Sequence, residues 1–136
     1  MRRRVLVPLV AGLVLLAGLA GCGDTSPMRM VITIHYSHFA PDAVSVTHGV
    51  PVTFVLVNTD PIDHEWIVGD AALHARHRTG TEPVHGSRPT EVSIPAQSER
   101  RTTITFASTG PLQFICHLPG HEAYGMVGTL TVTAAG

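Results

Sequence analysis

The sequence predicts an all-β domain, a Greek-key β-sandwich of seven to eight strands in two antiparallel sheets. Short runs rich in Val, Ile, Thr and Phe recur along the chain, each bounded by Gly, Pro, Asn or Ser. No segment has the period of a convincing amphipathic helix, and 136 residues leave room for only one domain. The predicted strands are residues 30–36, 43–47, 52–57, 65–68, 90–94, 101–106, 112–116 and 127–133.

The first three strands have the clearest sequence signals. Residues 30–36 alternate apolar and polar side chains, as a half-buried strand does. Residues 43–47 form a second short run, and residues 52–57 form a more continuous apolar one. Pro51 and Asn58 bound the third run, so we expect turns on either side of it.

A long irregular segment separates the fourth and fifth strands. Residues 65–68 and 90–94 have strand composition, but residues 69–89 are rich in Arg, His and Pro and have no period of two. A short helix around residues 71–77 is possible within this stretch. Excursions of this length in compact domains usually carry function or are mobile, so this segment is a candidate functional region.

The last three strands frame a loop. Residues 101–106 and 112–116 are followed by a polar and Gly-containing stretch, and residues 127–133 close the domain. The loop between the last two strands would therefore lie at one end of the sandwich.

The N-terminus resembles an export signal. Arginines at residues 2–4 precede an apolar run over residues 5–19, which is short for a membrane span of about twenty apolar residues. The following Leu-Ala-Gly-Cys resembles the lipobox of bacterial lipoproteins, which implies cleavage before Cys22 and lipidation of its thiol. The alternative is an ordinary secreted protein in which this cysteine occurs by chance.

This interpretation divides the chain into three parts. Residues 1–21 are a lipoprotein signal peptide, residues 22–29 the lipidated cysteine and its tether, and residues 30–136 the globular domain. We expect an exported protein, anchored by lipid at the outer face of the cell membrane or on its periplasmic side. After cleavage, six arginines and no lysine would face ten acidic residues, a net charge of −4. The domain then has no basic patch for nucleic acid.

The loop before the last strand contains three potential metal ligands at equal spacing. Cys116, His121 and Met126 are each separated by four residues, and Pro119-Gly120 supplies a tight turn before the histidine. A thiolate, an imidazole and a weak thioether indicate a blue-copper site that lacks one further imidazole. Structural zinc usually takes four strong ligands and iron–sulfur clusters take more cysteines, so copper is favoured.

The missing imidazole is best supplied by His64. It follows a turn over residues 58–61 and precedes the strand at 65–68, so it would come from a different strand than the loop. The competing histidines lie in early strands or in the irregular segment: His35, His38, His48, His74, His77 and His85. A lone histidine in such a place is more often a surface or satisfied core residue.

The Cys-x4-His-x4-Met pattern, together with an upstream His after a turn, resembles the cupredoxins, and its spacing is most similar to the rusticyanin and sulfocyanin type. The resemblance covers residues 31–132. It implies an eight-stranded Greek-key sandwich with one type 1 copper per chain. The ligands carried over are His64, Cys116 and His121 in the trigonal plane and Met126 as the long axial ligand.

The resemblance also implies single-electron transfer, not enzymatic catalysis. Redox partner proteins would dock transiently near His121, on an apolar surface formed by Leu118, Pro119 and Ala123. We expect a monomer held to the membrane through Cys22. The alternative function is copper storage, delivery or resistance by a lipoprotein that uses the same site and a His-rich loop. A metal-free adhesion module is disfavoured by the ligand motif, and a multicopper enzyme would need more domains.

Two features depart from this pattern. Glu65 stands where many cupredoxins have Asn, Ser or Thr, and we expect its side chain to point outward while its backbone N–H serves the thiolate. The spare histidines, among them His74, His77 and His85, could form an auxiliary copper site. We expect them instead to be scattered surface residues, because histidines spaced three apart without a thiol or carboxylate are a weak metal signal.

Overall fold

A computed structural model describes residues 27–80, 85 and 88–136. The strands in this part are β1 (Met28–His35), β2 (His38–Ala40), β3 (Ala43–Thr47), β4 (Pro51–Asn58), β5 (His64–Gly69), β6 (Glu91–Ile94), β7 (Glu99–Thr105), β8 (Gly110–Ile115) and β9 (Val127–Thr133). The helices are α1 (Ala71–Arg78) and α2 (His121–Tyr124). Strands order as β2-β1-β4-β7 in one sheet and β3-β9-β8-β5-β6 in the other. The predicted β-sandwich is confirmed, with nine strands in the described ranges.

The predicted signal peptide at residues 1–21 and the lipidated Cys22 lie outside the described residues. Among the residues that are described, no helix is long and apolar enough to cross a membrane.

The core lies between the two sheets and is built from alternate residues of the strands. Phe54 of the first sheet packs against Trp66 of the second, with ring centroids 4.8 Å apart. Phe39 meets Phe114 edge-on at 5.1 Å. Full burial of one such large apolar side chain stabilises the fold by roughly 1.5–3 kcal/mol, so these contacts between the sheets help to fix their relative position.

Two strand pairs differ from the expected antiparallel arrangement. β1 runs parallel to β4, and β3 runs parallel to β9. Neither pair is joined by a hairpin, so the connection does not impose opposite directions on its strands. The pairs between β4 and β7 and between β8 and β9 are antiparallel, as expected.

The short helix expected near residues 71–77 is present as α1. Asp70 begins it, accepting a hydrogen bond from the backbone N–H of Leu73 at 2.8 Å. Two elements were not predicted: β2 has three residues and α2 has four, too few to show a period in the sequence.

The sheet register brings the predicted ligands to one end of the sandwich. β5 and β8 are antiparallel, so the start of β5, where His64 lies, is close to the end of β8 before Cys116. The pairing of Ile115 with Val127 places the start of β9, after Met126, at the same end.

Candidate metal centre

Three of the predicted ligands meet at this end of the sandwich. The Nδ1 atoms of His64 and His121 are 3.2 Å apart, and the Sγ of Cys116 is 3.3 Å from Nδ1 of His121. The three donor atoms all lie within 4.8 Å of one another. His64 and Cys116 are buried, whereas His121 is partly exposed. The site therefore lies just below the surface, and His121 is its link to solvent.

The ligand loop is shaped by two glycines in left-handed backbone conformations. Gly120 has a φ of 86° and precedes α2, and Gly125 has a φ of 107° and follows it. The backbone N–H of His121 donates to the carbonyl of Leu118 at 3.0 Å, which closes the predicted Pro-Gly turn. These bends return the chain toward Cys116 within a few residues, at positions where glycine has the lowest steric cost.

Met126 is held beside the other two loop ligands by its backbone. Its carbonyl accepts from the N–H of Cys116 at 3.2 Å, and its own N–H donates to the carbonyl of His121 at 3.0 Å. Its side chain is fully buried in the same apolar cluster as Cys116. The loop thus holds the backbone of Met126 against those of Cys116 and His121, and the assignment of Met126 as an axial ligand stays a prediction.

His64 is oriented by a carboxylate that the sequence did not single out. Its Nε2 lies 3.0 Å from Oδ2 of Asp60, and its side chain is fully buried. The backbone N–H groups of Tyr36 and Ser37 each donate to Asp60 at 2.7 Å. Burial alone would raise the pKa of Asp60, but these backbone N–H groups and His64 lower it below 3.8. Asp60 is therefore ionised, Nε2 of His64 keeps its proton, and Nδ1 is left as the metal-binding atom.

The thiol of Cys116 is suited to a metal, not to free reactivity. It is fully buried, and burial raises its pKa to about 11, against the opposing hydrogen bonds from the backbone of Glu65 and Leu118. The N–H of Glu65 donates to Sγ at 3.3 Å, which confirms the expected backbone contact. Without a metal the thiol stays protonated, and metal binding must displace that proton.

The side chain of Glu65 does not point outward as expected. Its side chain is 13% exposed, and its Oε1 lies 2.8 Å from Nε2 of His85. His85 therefore lies against β5, which the sequence could not show because the two residues are twenty positions apart.

The spare histidines divide into two groups. His35 and His38 are exposed and bond to Thr59 and to the carbonyl of Tyr36, as the surface interpretation expects. In contrast, His74 is fully buried and the side chain of His77 is only 2% exposed. The expectation that these two are surface residues is wrong, because α1 packs both against the sheet.

A further histidine of this group, His117, was missed at the sequence level. Its Nε2 lies 2.9 Å from Nδ1 of His74, and its ring stacks on that of His77 with centroids 5.3 Å apart. Burial, with the charge of His74, lowers its pKa from 6.5 to about 4. Its position directly after Cys116 was the only available signal.

The donor atoms of His64, Cys116 and His121, called the first centre below, are those that copper prefers. One thiol and two imidazoles converge without a second cysteine, which disfavours structural zinc and iron–sulfur chemistry. One thiol and two imidazoles, with a thioether on the same loop, are the ligand combination of blue copper. The second imidazole nitrogen of His64 is also anchored on a carboxylate, as is common in metal centres.

Comparison with known proteins gives the same metal. Residues 27–133 match the model for copper binding proteins of the plastocyanin/azurin family. The copper-resistant cuproprotein CopI of Pseudomonas aeruginosa is 32% identical over 127 aligned residues, covering 70% of this chain and 70% of that protein. CopI of Rubrivivax gelatinosus is 28% identical over 116 residues, covering 81% of this chain and 70% of that protein.

Solved structures support the fold. Auracyanin B superposes with a TM-score of 0.67 at 23% identity, over 79% of this chain and 91% of that one. Auracyanin from Roseiflexus castenholzii superposes with a TM-score of 0.66 at 19% identity, over 79% of this chain and 98% of that one. The cupredoxin fold, the copper cofactor and the match across the whole sandwich agree, and the chain belongs to the plastocyanin/azurin family of copper-binding proteins.

Proposed function

We propose that this chain is an exported copper-resistance protein that holds copper through His64, Cys116, His121 and Met126. The observation that carries the proposal is the convergence of two imidazoles and one buried thiol in a chain that resembles copper-resistant cuproproteins. Bound copper supplies a soft, one-electron centre, and the residues around it determine how firmly it is held. We infer a binding protein, not an enzyme.

The chain's own residues favour retention. Cys116 is fully buried, so water and competing ligands have little access to its sulfur. Asp60 fixes the orientation of His64 before any metal binds, so His64 loses little conformational freedom when copper binds. Both features would favour a slow release of copper, which is what protection from free copper requires.

The proposal places this function outside the cytoplasm. The Leu-Ala-Gly-Cys motif supports lipidation of Cys22 and attachment to the outer face of the membrane. A tethered copper-binding domain would act where external copper first meets the cell. We propose that it acts as a monomer.

The test is growth in copper of a bacterium made sensitive by loss of its own relative of this protein. We expect the full chain to restore growth and Cys116→Ser to fail, while His48→Gln, a histidine outside the copper centre, restores it fully. The purified protein should show an intense thiolate-to-copper absorption that Cys116→Ser lacks. Growth restored equally by Cys116→Ser would overturn the proposal.

Single-electron transfer is the second candidate, and one observation favours it. His121 is partly exposed, and close to the centre Tyr36, Ile62 and Tyr124 line a shallow surface pocket together with Asp60. These three side chains are 76%, 46% and 68% exposed, an apolar surface of the kind that transient partners use.

Copper retention and electron transfer predict different growth when the apolar surface around Ile62 and Tyr124 is made acidic. The double variant Ile62→Glu, Tyr124→Glu should leave copper binding intact, since both side chains lie outside the donor set. If copper is retained for resistance, the variant still restores growth. If electrons pass to a docked partner, growth is lost while the copper absorption stays.

A further inference from the structure

We propose that His77, His85 and Glu91 form a second metal site, which binds a divalent transition metal such as the cupric ion. One ligand atom of each residue lies within 4.8 Å of the others. The three side chains are 2%, 10% and 3% exposed, so the group is enclosed, unlike a chance set of surface residues. None of them belongs to the first centre.

The ring of His77 presents a lone pair toward this point. Its Nδ1 lies 3.0 Å from the carbonyl of Leu73, which can only accept, so Nδ1 carries the proton. In the neutral ring, Nε2 then has a lone pair and no proton. This atom is buried and has no hydrogen-bond partner among the described residues; Oε2 of Glu91 lies 3.7 Å away. Two acceptors therefore face each other inside the protein.

The ring of His85 can also direct a lone pair toward Glu91. Its Nε2 lies 2.8 Å from Oε1 of Glu65, and its Nδ1 lies 3.2 Å from Oε2 of Glu91. A neutral imidazole has one proton and cannot donate to both carboxylates. If the proton is on Nε2, at the shorter contact, Nδ1 offers a second lone pair to the same point.

A cation resolves these contacts more completely than a proton does. A proton added to His85 would satisfy its two contacts, but Nε2 of His77 would still be buried without a hydrogen-bond partner among the described residues. One metal ion between the three residues satisfies Nε2 of His77, Nδ1 of His85 and Oε2 of Glu91 together. The remaining nitrogen of each ring already has an acceptor, as is usual for metal-binding histidines.

Glu91 is held in place by Arg88. The Nη1 of Arg88 lies 3.1 Å from each carboxylate oxygen, and Glu91 is almost completely buried. The guanidinium offsets part of the carboxylate charge and fixes its orientation. Each oxygen can still accept a further contact, so Oε2 remains able to bind an ion.

The ligand chemistry selects the metal. Two imidazoles and one carboxylate contain no thiolate, so they favour the cupric ion or zinc over the cuprous ion. Among divalent ions such a set binds copper most tightly. Three protein ligands leave a position open for water or exchange, unlike a closed structural site.

The experiment measures how much copper the protein still binds after the ligands of the first centre have been replaced. The full protein with Cys116→Ser and His121→Ala is loaded with cupric ion, and bound copper is measured per chain with its electron paramagnetic resonance spectrum. We expect a copper ion that shows coupling to two nitrogens and no thiolate absorption. Adding His77→Gln or Glu91→Gln should remove one copper per chain, whereas the matched controls His48→Gln and Glu99→Gln should not.

The otherwise unchanged protein provides the second readout. There, His77→Gln and Glu91→Gln should each lower the copper content by one ion and keep the thiolate absorption, which reports both a folded domain and an intact first centre. Equal copper content in the variants and their controls would overturn the second site. This result would leave the proposed function standing, because that proposal depends on Cys116.

Discussion

Asp60 shows how one residue outside the donor set prepares a ligand. It accepts from two backbone N–H groups and contacts Nε2 of His64, so it fixes both the proton and the ring orientation of that histidine. Residues that orient a ligand in this way commonly contribute to metal affinity although they do not touch the metal.

We therefore expect Asp60→Asn to weaken copper binding by about 10- to 100-fold, since the amide replaces the carboxylate charge that holds His64. The measurement is a competition titration against a chelator of known affinity. Asp42→Asn, at an exposed aspartate, is the control and should bind copper normally. Equal affinities for the two variants would contradict the role of Asp60.

The raised pKa of Cys116 should make copper binding depend on pH. Its thiol is protonated at neutral pH because its pKa is about 11, so copper binding should release one proton from this residue. Affinity should therefore rise by about tenfold per pH unit from this group alone below that pKa. Calorimetry in buffers of different ionisation enthalpy measures the release, and Cys116→Ser should lose it. Binding without proton release would mean that the thiol is already ionised.

Two glycines, Gly128 in β9 and Gly120 in the loop before it, show what packing and turns require of individual elements. Gly128, in β9, is packed so closely that an added Cβ would lie 2.2 Å from the ring of Phe114 and 2.7 Å from the carbonyl oxygen of Asp42. Gly120 has open space around it but a φ of 86°. The first glycine is required by packing between elements and the second by the turn before His121.

Gly128→Ala should lower the free energy of unfolding by about 1–3 kcal/mol through steric overlap with the core. Gly120→Ala should cost about 1–2 kcal/mol through backbone strain alone, and should also weaken copper binding by moving His121. Urea unfolding of the metal-free variants gives the first quantity, and a copper titration gives the second. A Gly128→Ala protein as stable as the parent would contradict the packing described.

Local features were predictable from the sequence, and contacts between elements were not. Cys116, His121 and Met126 come together within one loop, so their spacing was enough to predict them as a group. His64 was chosen only by its position before a strand, and the structure brings it to the same point. The contacts of Glu91 with His77 and His85 depend on where α1 and His85 lie relative to β6, and no local pattern carries that information.

At the scale of the whole molecule, several groups have a pKa below the ordinary value and so resist protonation in the folded state. Burial lowers the pKa of His74 and lowers that of His117 to about 4, compared with 6.5 for an ordinary histidine. The pKa of Glu122 is also lowered, mainly by its hydrogen bond to Arg78. In each case the unfolded chain binds protons more readily than the folded one.

The metal-free protein should therefore lose stability as the pH falls from about 6.5 to about 4, where unfolded histidines are protonated and folded His117 is not. The carboxylates with lowered pKa add a further loss below this range. Urea unfolding at a series of pH values measures the slope, and His117→Gln should flatten it while His48→Gln should not. A slope unchanged by His117→Gln would show that His117 is not the group responsible.

The central claim is that the sandwich brings His64, Cys116 and His121 together to bind copper. A crystal structure of the copper-loaded protein, with anomalous diffraction at the copper edge, tests it most directly. We predict a copper peak bonded to Nδ1 of His64, Sγ of Cys116 and Nδ1 of His121, with Met126 beside it. A loaded protein in which copper lies elsewhere and Cys116 has no metal bond would contradict the account.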